Sequence, residues 1–292
     1  MSSLRPALPS DPPPPKTTDS EVRPMSPMAA VGWGIGSTVL FAWLVTLTAT
    51  LREAARWDLV NNFACQLLAM LAALFLILRI YAPDASIRRV LGVRPSHPGF
   101  YPLAISLGVA MALPTNVLYE LILRRFPNPN ADDGLARMFS EATTPKRVVM
   151  GLIVVALGPL VEEVFFRGAL FSPQRRRSTA PVVVVITAAL FAVAHVEIQR
   201  FLPIFLLGIA MGTLRAASGS LFPSILMHAT FNAVPFYAMT RPGAALEEAP
   251  AGPLPLGLAT ASVAVAVALV CGVALLGARS VDAARAREKD RA

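Results

Sequence analysis

The sequence predicts an all-α fold, a polytopic integral membrane bundle of about eight transmembrane helices, and three observations carry that expectation. Hydrophobic residues make up 55% of the 292-residue chain and charged residues only 15%, against about 25% charge in an ordinary soluble domain. The apolar residues come in long blocks, several of them near the about 20 residues that cross a hydrocarbon core of about 30 Å. The charges that remain are too few to cover the surface of a soluble fold of this size, so lipid is the expected solvent. Two cysteines, Cys65 and Cys271, both inside apolar blocks, supply no disulfide or zinc-cluster framework and read as small buried hydrophobes.

Residues 1–30, with a proline run from Pro12 to Pro15, are rich in Pro, Ser and charge and read as a disordered tail, not a cleaved signal. Eight apolar blocks follow, at 31–51, 61–81, 101–123, 148–171, 180–197, 201–214, 221–239 and 254–278. The sixth is short and the third contains Pro114, which a span tolerates only where its freed backbone group is satisfied again. Residues 31–145 form the first membrane region, 146–241 the region bearing the chemistry, 242–280 the last span and 281–292 a basic tail.

An even number of spans puts both termini on one side. Of the 26 Lys and Arg residues, 16 fall on the side of the termini and nine on the other, with Arg167 set aside within a span. The positive-inside bias therefore makes both tails cytoplasmic, in a plasma (inner) membrane. The net charge of +8 is accounted for by short runs flanking spans, so no nucleic acid partner is expected. The Ala-, Arg- and Pro-rich composition fits a GC-rich bacterial source.

An ionisable side chain within a span is costly unless paired or wetted, and by default marks function. The fourth block contains Glu162, Glu163 and Arg167. Glu163 and Arg167 are four apart and share a helical face, where they can neutralise each other. Glu162 points about 100° away and gains no such partner, the environment in which a carboxylate works as a general base. The fifth block places Phe191 and His195 on one face, and the seventh places His228 and Asn232 one turn apart. His97, in the sequence SHPG, reads as an exposed loop histidine.

Histidine, glutamate and asparagine are the inventory for activating water and holding an oxyanion. No serine or cysteine accompanies either intramembrane histidine at a diagnostic spacing and there is no GxSxG, which favours direct attack by water over a covalent nucleophile. The same residue types also suit a membrane scaffold, in which they only hold helices together, and a proton-coupled transporter, for which no inverted repeat is found.

The three motifs, EEVFFR from Glu162 to Arg167, FAVAH from Phe191 to His195 and HATFN from His228 to Asn232, resemble those of the CPBP intramembrane proteases. That group, also called the Abi family, includes the type II CAAX prenyl endopeptidases. The resemblance covers about residues 146–241. It implies a membrane-embedded endopeptidase with a cavity open to the cytoplasm, acting on a membrane-associated protein or peptide. It further implies that Glu162 is the general base on water, that His195 positions that water, and that His228 and Asn232 stabilise the oxyanion. Glu163 and Arg167 would then be the supporting ion pair, with Phe191 part of the second motif. Glu162, His195 and His228 are also the residue types of a three-ligand zinc site, so zinc is the alternative; the reading adopted has no tightly bound metal. The kinds of reaction implied are C-terminal processing of a CAAX-like or sorting signal and peptide maturation, with a non-catalytic scaffold or immunity protein of the Abi type as the competing possibility.

Overall fold

The structure, a computed structural model, describes residues 22–128, 138–139, 141–241 and 256–289. The first 21 residues of the expected tail, the 242–255 segment and residues 290–292 lie outside them. Every one of the eight apolar blocks is helical: α1 (Pro27–Leu51), α2 (Leu59–Tyr81), α3 (Phe100–Arg125), α4 (Thr144–Arg175), α5 (Ala180–Val193), α6 (Ile198–Ser218), α7 (Phe222–Thr240) and α8 (Leu256–Lys289). No strand occurs among the described residues.

Six of these helices are long and apolar enough to cross a membrane: α1, α2, α3, α4, α6 and the 260–280 part of α8. The sixth block, expected to be short, is a full 21-residue helix, because Ile198, Gln199 and Arg200 at its start and Arg215 to Ser218 at its end are helical too. The fifth block is the short one, 14 residues. The chain is a multi-pass membrane protein, and its outer surface fits lipid: Phe75, Leu68, Val39 and Val267 are each more than half exposed, which water would penalise and acyl chains do not. Cys65 is buried as expected, whereas Cys271 sits on the exposed side of α8.

Local chemistry sets the helix ends. Pro27 opens α1, with the Ser26 hydroxyl accepting from the Ala29 N–H at 3.1 Å, so the helix starts inside the stretch expected to be tail. At the other end of the chain α8 runs on to Lys289, past the expected end of the last span. Within α4 two π-helical segments, Ile153–Leu157 and Val164–Ala169, bracket the α-helical piece Gly158–Glu163. Pro159 lacks the N–H that would continue an α-helical ladder into this piece. π-turns of this kind change the direction in which successive side chains point.

Hydrogen bonds between connections fix the two ends of the bundle. At the end carrying the described N-terminal residues, the backbone N–H of Arg23 donates to Tyr81 O (2.7 Å), that of Met25 to Pro173 O (3.0 Å) and that of Leu221 to Gly92 O (2.9 Å). Arg94 Nε donates to Gly219 O at 2.9 Å and the Ser220 hydroxyl to Arg94 O at 2.5 Å. These bonds tie the 82–99, 172–179 and 219–221 connections together over the helix ends. At the opposite end Asn61 Nδ2 donates to Thr48 Oγ1 at 2.9 Å and Tyr119 OH to Glu197 Oε1 at 2.8 Å.

α5 and α6 pack at close range along two glycines. A Cβ on Gly208 would stand 2.9 Å from both Cα and Cβ of Ala188, and one on Gly212 would stand 2.9 Å from a methyl of Val184. Two glycines four apart thus form a flat stripe that admits the facing backbone, the small-xxx-small mode of helix association in membranes.

Candidate active site

The first element of the site is charge burial in α4. Glu163 and Arg167 are fully buried, with Arg167 Nη1 donating to Glu163 Oε1 at 2.8 Å, the pair that the four-residue spacing predicts. Arg167 Nη2 also donates to Gly208 O at 3.2 Å, which the missing side chain of Gly208 permits. Its guanidinium carbon stands 4.6 Å from the centre of the Phe191 ring, so an aromatic face supplies part of the solvation that burial removes. Glu163 Oε2 and Arg167 Nε are buried with no hydrogen-bond partner.

α7 brings His228 onto this pair. Its Nδ1 lies 3.2 Å from Glu163 Oε1, and its Nε2 lies 3.6 Å from Glu162 Oε2. The imidazole therefore bridges the two adjacent carboxylates of α4. Because a carboxylate oxygen only accepts, the closer contact places a proton on Nδ1 and directs Nε2 at Glu162. Phe191 meets the His228 ring edge to face at 5.4 Å between centroids and the His195 ring at 4.9 Å. The phenylalanine of the second motif is thus the apolar spacer between both histidines and the arginine.

His195 stands just past the end of α5. Its Nδ1 is 2.8 Å from Phe191 O, and since a carbonyl only accepts, this bond fixes the proton on Nδ1 and leaves Nε2 free. The ring thereby satisfies a carbonyl at the helix terminus, while the His195 backbone N–H turns to Ala192 O at 3.3 Å. The next residue, Val196, has φ of +59°, and Glu197 beyond it meets Arg200 Nε at 2.5 Å as well as Tyr119.

Glu162 is the partly open member of the pair, its side chain 14% exposed against none for Glu163. Gln66 Nε2 of α2 donates to its Oε1 at 2.7 Å. The motif pattern gave no hint of Gln66; a polar residue amid the apolar run that follows Asn62 in the second span was the available signal. Asn232 donates through Nδ2 to Val154 O at 2.9 Å, a carbonyl within the first π-segment. An amide nitrogen carries two hydrogens, so one stays free for another acceptor.

Two cavities meet at these residues. One of about 400 Å³ is lined by Gln66, Asn62, Glu162, Phe166, His195 and Asn232 among others. The second, about 690 Å³, is lined by Tyr119, Arg200, Phe191, His195, Phe231 and Asn232 and by mostly apolar side chains of α3, α6 and α7. His195 and Asn232 form part of the wall of both. His228 lines neither and is 2% exposed, which sets it behind Glu162 instead of beside a substrate. His97 lies away from this group, exposed in its loop, with its Nδ1 accepting from Gly99 N–H at 3.2 Å.

The lining of both cavities runs from mid-bundle, at Met70, Val109 and Phe166, to the end where α1 meets α2, α3 meets α4 and α5 meets α6. That end is opposite Arg175–Arg177 and the described N-terminal residues.

Among the described residues no group of three or more His, Cys, Asp or Glu side chains is placed to hold an ion. No chemical step is therefore drawn through zinc.

Residues 144–234 match the family described as type II CAAX prenyl endopeptidase Rce1-like. The chain is also 30% identical over 127 residues to an uncharacterized 24.3 kDa protein of Escherichia coli, an overlap of 42% of this chain and 51% of that protein. The chain thus spans about half the length of the curated relative it matches. No solved structure matches it.

Proposed function

We propose that the chain, whose residues 144–234 match the Rce1-like, CAAX protease-type family, is an intramembrane endopeptidase that hydrolyses a peptide bond of a membrane-associated protein or peptide with water activated by Glu162. The observation that carries this reading is that Glu162, His195 and Asn232, drawn from three separate motifs, line a single cavity of about 400 Å³.

In the reaction, Glu162 takes a proton from a water in the smaller cavity as the water oxygen attacks the scissile carbonyl carbon. His195 Nε2, the free nitrogen of a ring held through Nδ1, accepts the other water hydrogen and fixes the direction of attack. The oxygen of the tetrahedral intermediate accepts from the remaining N–H of Asn232. Collapse breaks the C–N bond, and the proton held by Glu162 passes to the departing amine. His228, expected beside Asn232 as an oxyanion donor, is assigned a different part here: with its Nε2 3.6 Å from Glu162, it receives the hydrogen of the protonated Glu162 and holds the carboxyl in place between the two proton transfers. Glu163 and Arg167 keep the imidazole proton on Nδ1. The larger, mainly apolar cavity on the other side of His195 and Asn232 takes the substrate chain.

The test is a comparison of membrane proteomes, with new chain ends mapped, between cells carrying the wild type and Glu162→Gln at equal abundance. Removal of a general base lowers turnover by about 10²–10⁴-fold, so uncut precursors accumulate in the variant. Identical chain ends in both would refute the proposal.

A further inference from the structure

We propose that Arg215, in the last turn of α6, is a positioning residue for the active site: by holding the backbone of Arg167 it sets the direction in which α4 presents Glu162 and Glu163. This rests on the endopeptidase reading above and adds a residue that lies outside the three motifs. The observation behind it is that α6 grips Arg167 at two points.

Arg215 Nε donates to Arg167 O at 2.9 Å, and Gly208 O accepts from Arg167 Nη2 at 3.2 Å. Positions 208 and 215 are seven apart and so lie on one face of α6. One bond reaches the backbone of Arg167 and the other its side chain, so both the place and the rotation of that residue are set from α6. Arg167 lies in the π-segment Val164–Ala169, where a wider turn replaces the regular 3.6-residue turn that fixes the faces of an α-helix. A tether from a neighbouring helix fixes them instead. From Arg167 the contacts run on to the base: Nη1 to Glu163 Oε1 at 2.8 Å, Glu163 Oε1 to His228 Nδ1 at 3.2 Å and His228 Nε2 to Glu162 Oε2 at 3.6 Å. A shift of the Arg167 backbone is thereby felt at the carboxylate that activates water, where a misplacement of about 1 Å costs about a hundredfold in rate.

Arg215 is itself held in one direction. It is 7% exposed and has no carboxylate partner among the described residues, so its N–H donors have to be met by other groups. Nη2 donates to Ser172 Oγ at 3.4 Å, and the Ser172 hydroxyl donates in turn to Val90 O. The guanidinium carbon stands 5.1 Å from the centre of the Phe171 ring. On another side lies Gly92, with φ of +73°, where a Cβ would stand 2.5 Å from Arg215 Nη2; the missing side chain makes room for the guanidinium. The helix dipole favours a cation in the last turn of α6 but selects no direction for it. The contacts with Ser172, Phe171 and Gly92 do, and they leave Nε aimed at Arg167 O.

The test reads His228 directly, without any need for turnover. The chain has three histidines, so labelling their ring nitrogens with nitrogen-15 gives few side-chain signals in the purified protein, and His228→Asn identifies those of His228. The wild type is expected to show the Nδ1–H tautomer at this residue. Folded Arg215→Met moves the His228 signals and brings in the Nε2–H tautomer. At equal abundance it also lowers processing of the precursors that Glu162→Gln leaves uncut, by about tenfold to a hundredfold. Phe171→Leu, which takes away the aromatic face and leaves the donor, lowers the melting temperature with the His228 signals in place. Where Arg215→Met does not fold, Arg215→Lys is read in the same way, since it keeps the cation and lacks the Nε donor. Unmoved His228 signals in the folded Arg215 variant overturn the proposal, as does its full processing of precursors that need Glu162. An equal movement of these signals in Phe171→Leu also overturns it, because general loosening then accounts for the effect. If the signals move as expected while neither Glu162→Gln nor Arg215→Met changes any chain end, the link from Arg215 to His228 stands and the endopeptidase reading fails.

Discussion

Gln66 Nε2 donates to Glu162 Oε1 at 2.7 Å, a bond that joins α2 to α4 across 96 positions of sequence. It holds the carboxylate by the oxygen that does not face His228, so the second oxygen, Oε2, is turned toward the imidazole. A hydrogen bond to a charged acceptor contributes about 1.5–3 kcal/mol.

Gln66→Leu removes that donor while keeping the volume similar. If the bond acts mainly in positioning Glu162 for the transition state, kcat falls by about tenfold to a hundredfold with KM unchanged and protein abundance intact. Gln66→Glu is expected to be worse, since it sets two carboxyl groups against each other where a donor stood. A rise in KM with kcat unaltered would assign Gln66 to substrate binding instead.

The Glu163 and Arg167 pair is wholly enclosed, and breaking such a pair from one side leaves a charge with no compensation. Glu163→Gln or Arg167→Met should each lower stability by about 3–5 kcal/mol, read as loss of the folded protein in detergent on heating. The double replacement should be less harmful than the sum, because the two changes share one interaction. Additive losses would show that the partners are stabilised separately, by His228 and by Gly208 O and the Phe191 face.

How much of this was legible in the sequence depends on what each feature needs. The eight helices follow from apolar block length alone, and the Glu163 and Arg167 pair follows from a four-residue spacing. The convergence of Glu162, His195 and His228 was suggested by their polarity within spans, since few other reasons place such groups there. The position of His228 behind Glu162 was not legible, because the two π-segments of α4 rotate its faces by an amount that no periodicity reports. Gln66 was missed because it lies outside the motifs, and the joining of the 82–99, 172–179 and 219–221 connections because it is made by bonds between distant segments. The Gly208 and Gly212 spacing is legible in the sequence.

Gly208 links helix packing to the site. A side chain there would collide with Ala188 backbone and displace Gly208 O from Arg167 Nη2. Gly208→Val is expected to push α5 from α6 and shift Phe191 and His195 with it. Activity should fall at least tenfold, an effect of about 1.4 kcal/mol on the barrier, together with a lower melting temperature. Gly212→Ala, which meets the Val184 side chain and no backbone within the nearest contacts, should be milder. Equal tolerance of both would show that the helices are not held at contact distance.

Val196 carries the last consequence. A β-branched residue with φ of +59° sits in a region that costs non-glycine residues about 1–3 kcal/mol, and its side chain is 72% exposed, so no packing rewards the conformation. What it does is turn the chain sharply between His195, bound to Phe191 O, and Glu197, bound to Tyr119 and Arg200. Val196→Gly relieves the strain but adds disorder to the unfolded chain worth about 0.5–1 kcal/mol, so a net gain of about 1 kcal/mol is expected and the melting temperature should rise. The same change frees the link that aims His195, and kcat should drop as stability increases. A variant that gains stability and keeps full turnover would show that His195 is held by its bond to Phe191 alone.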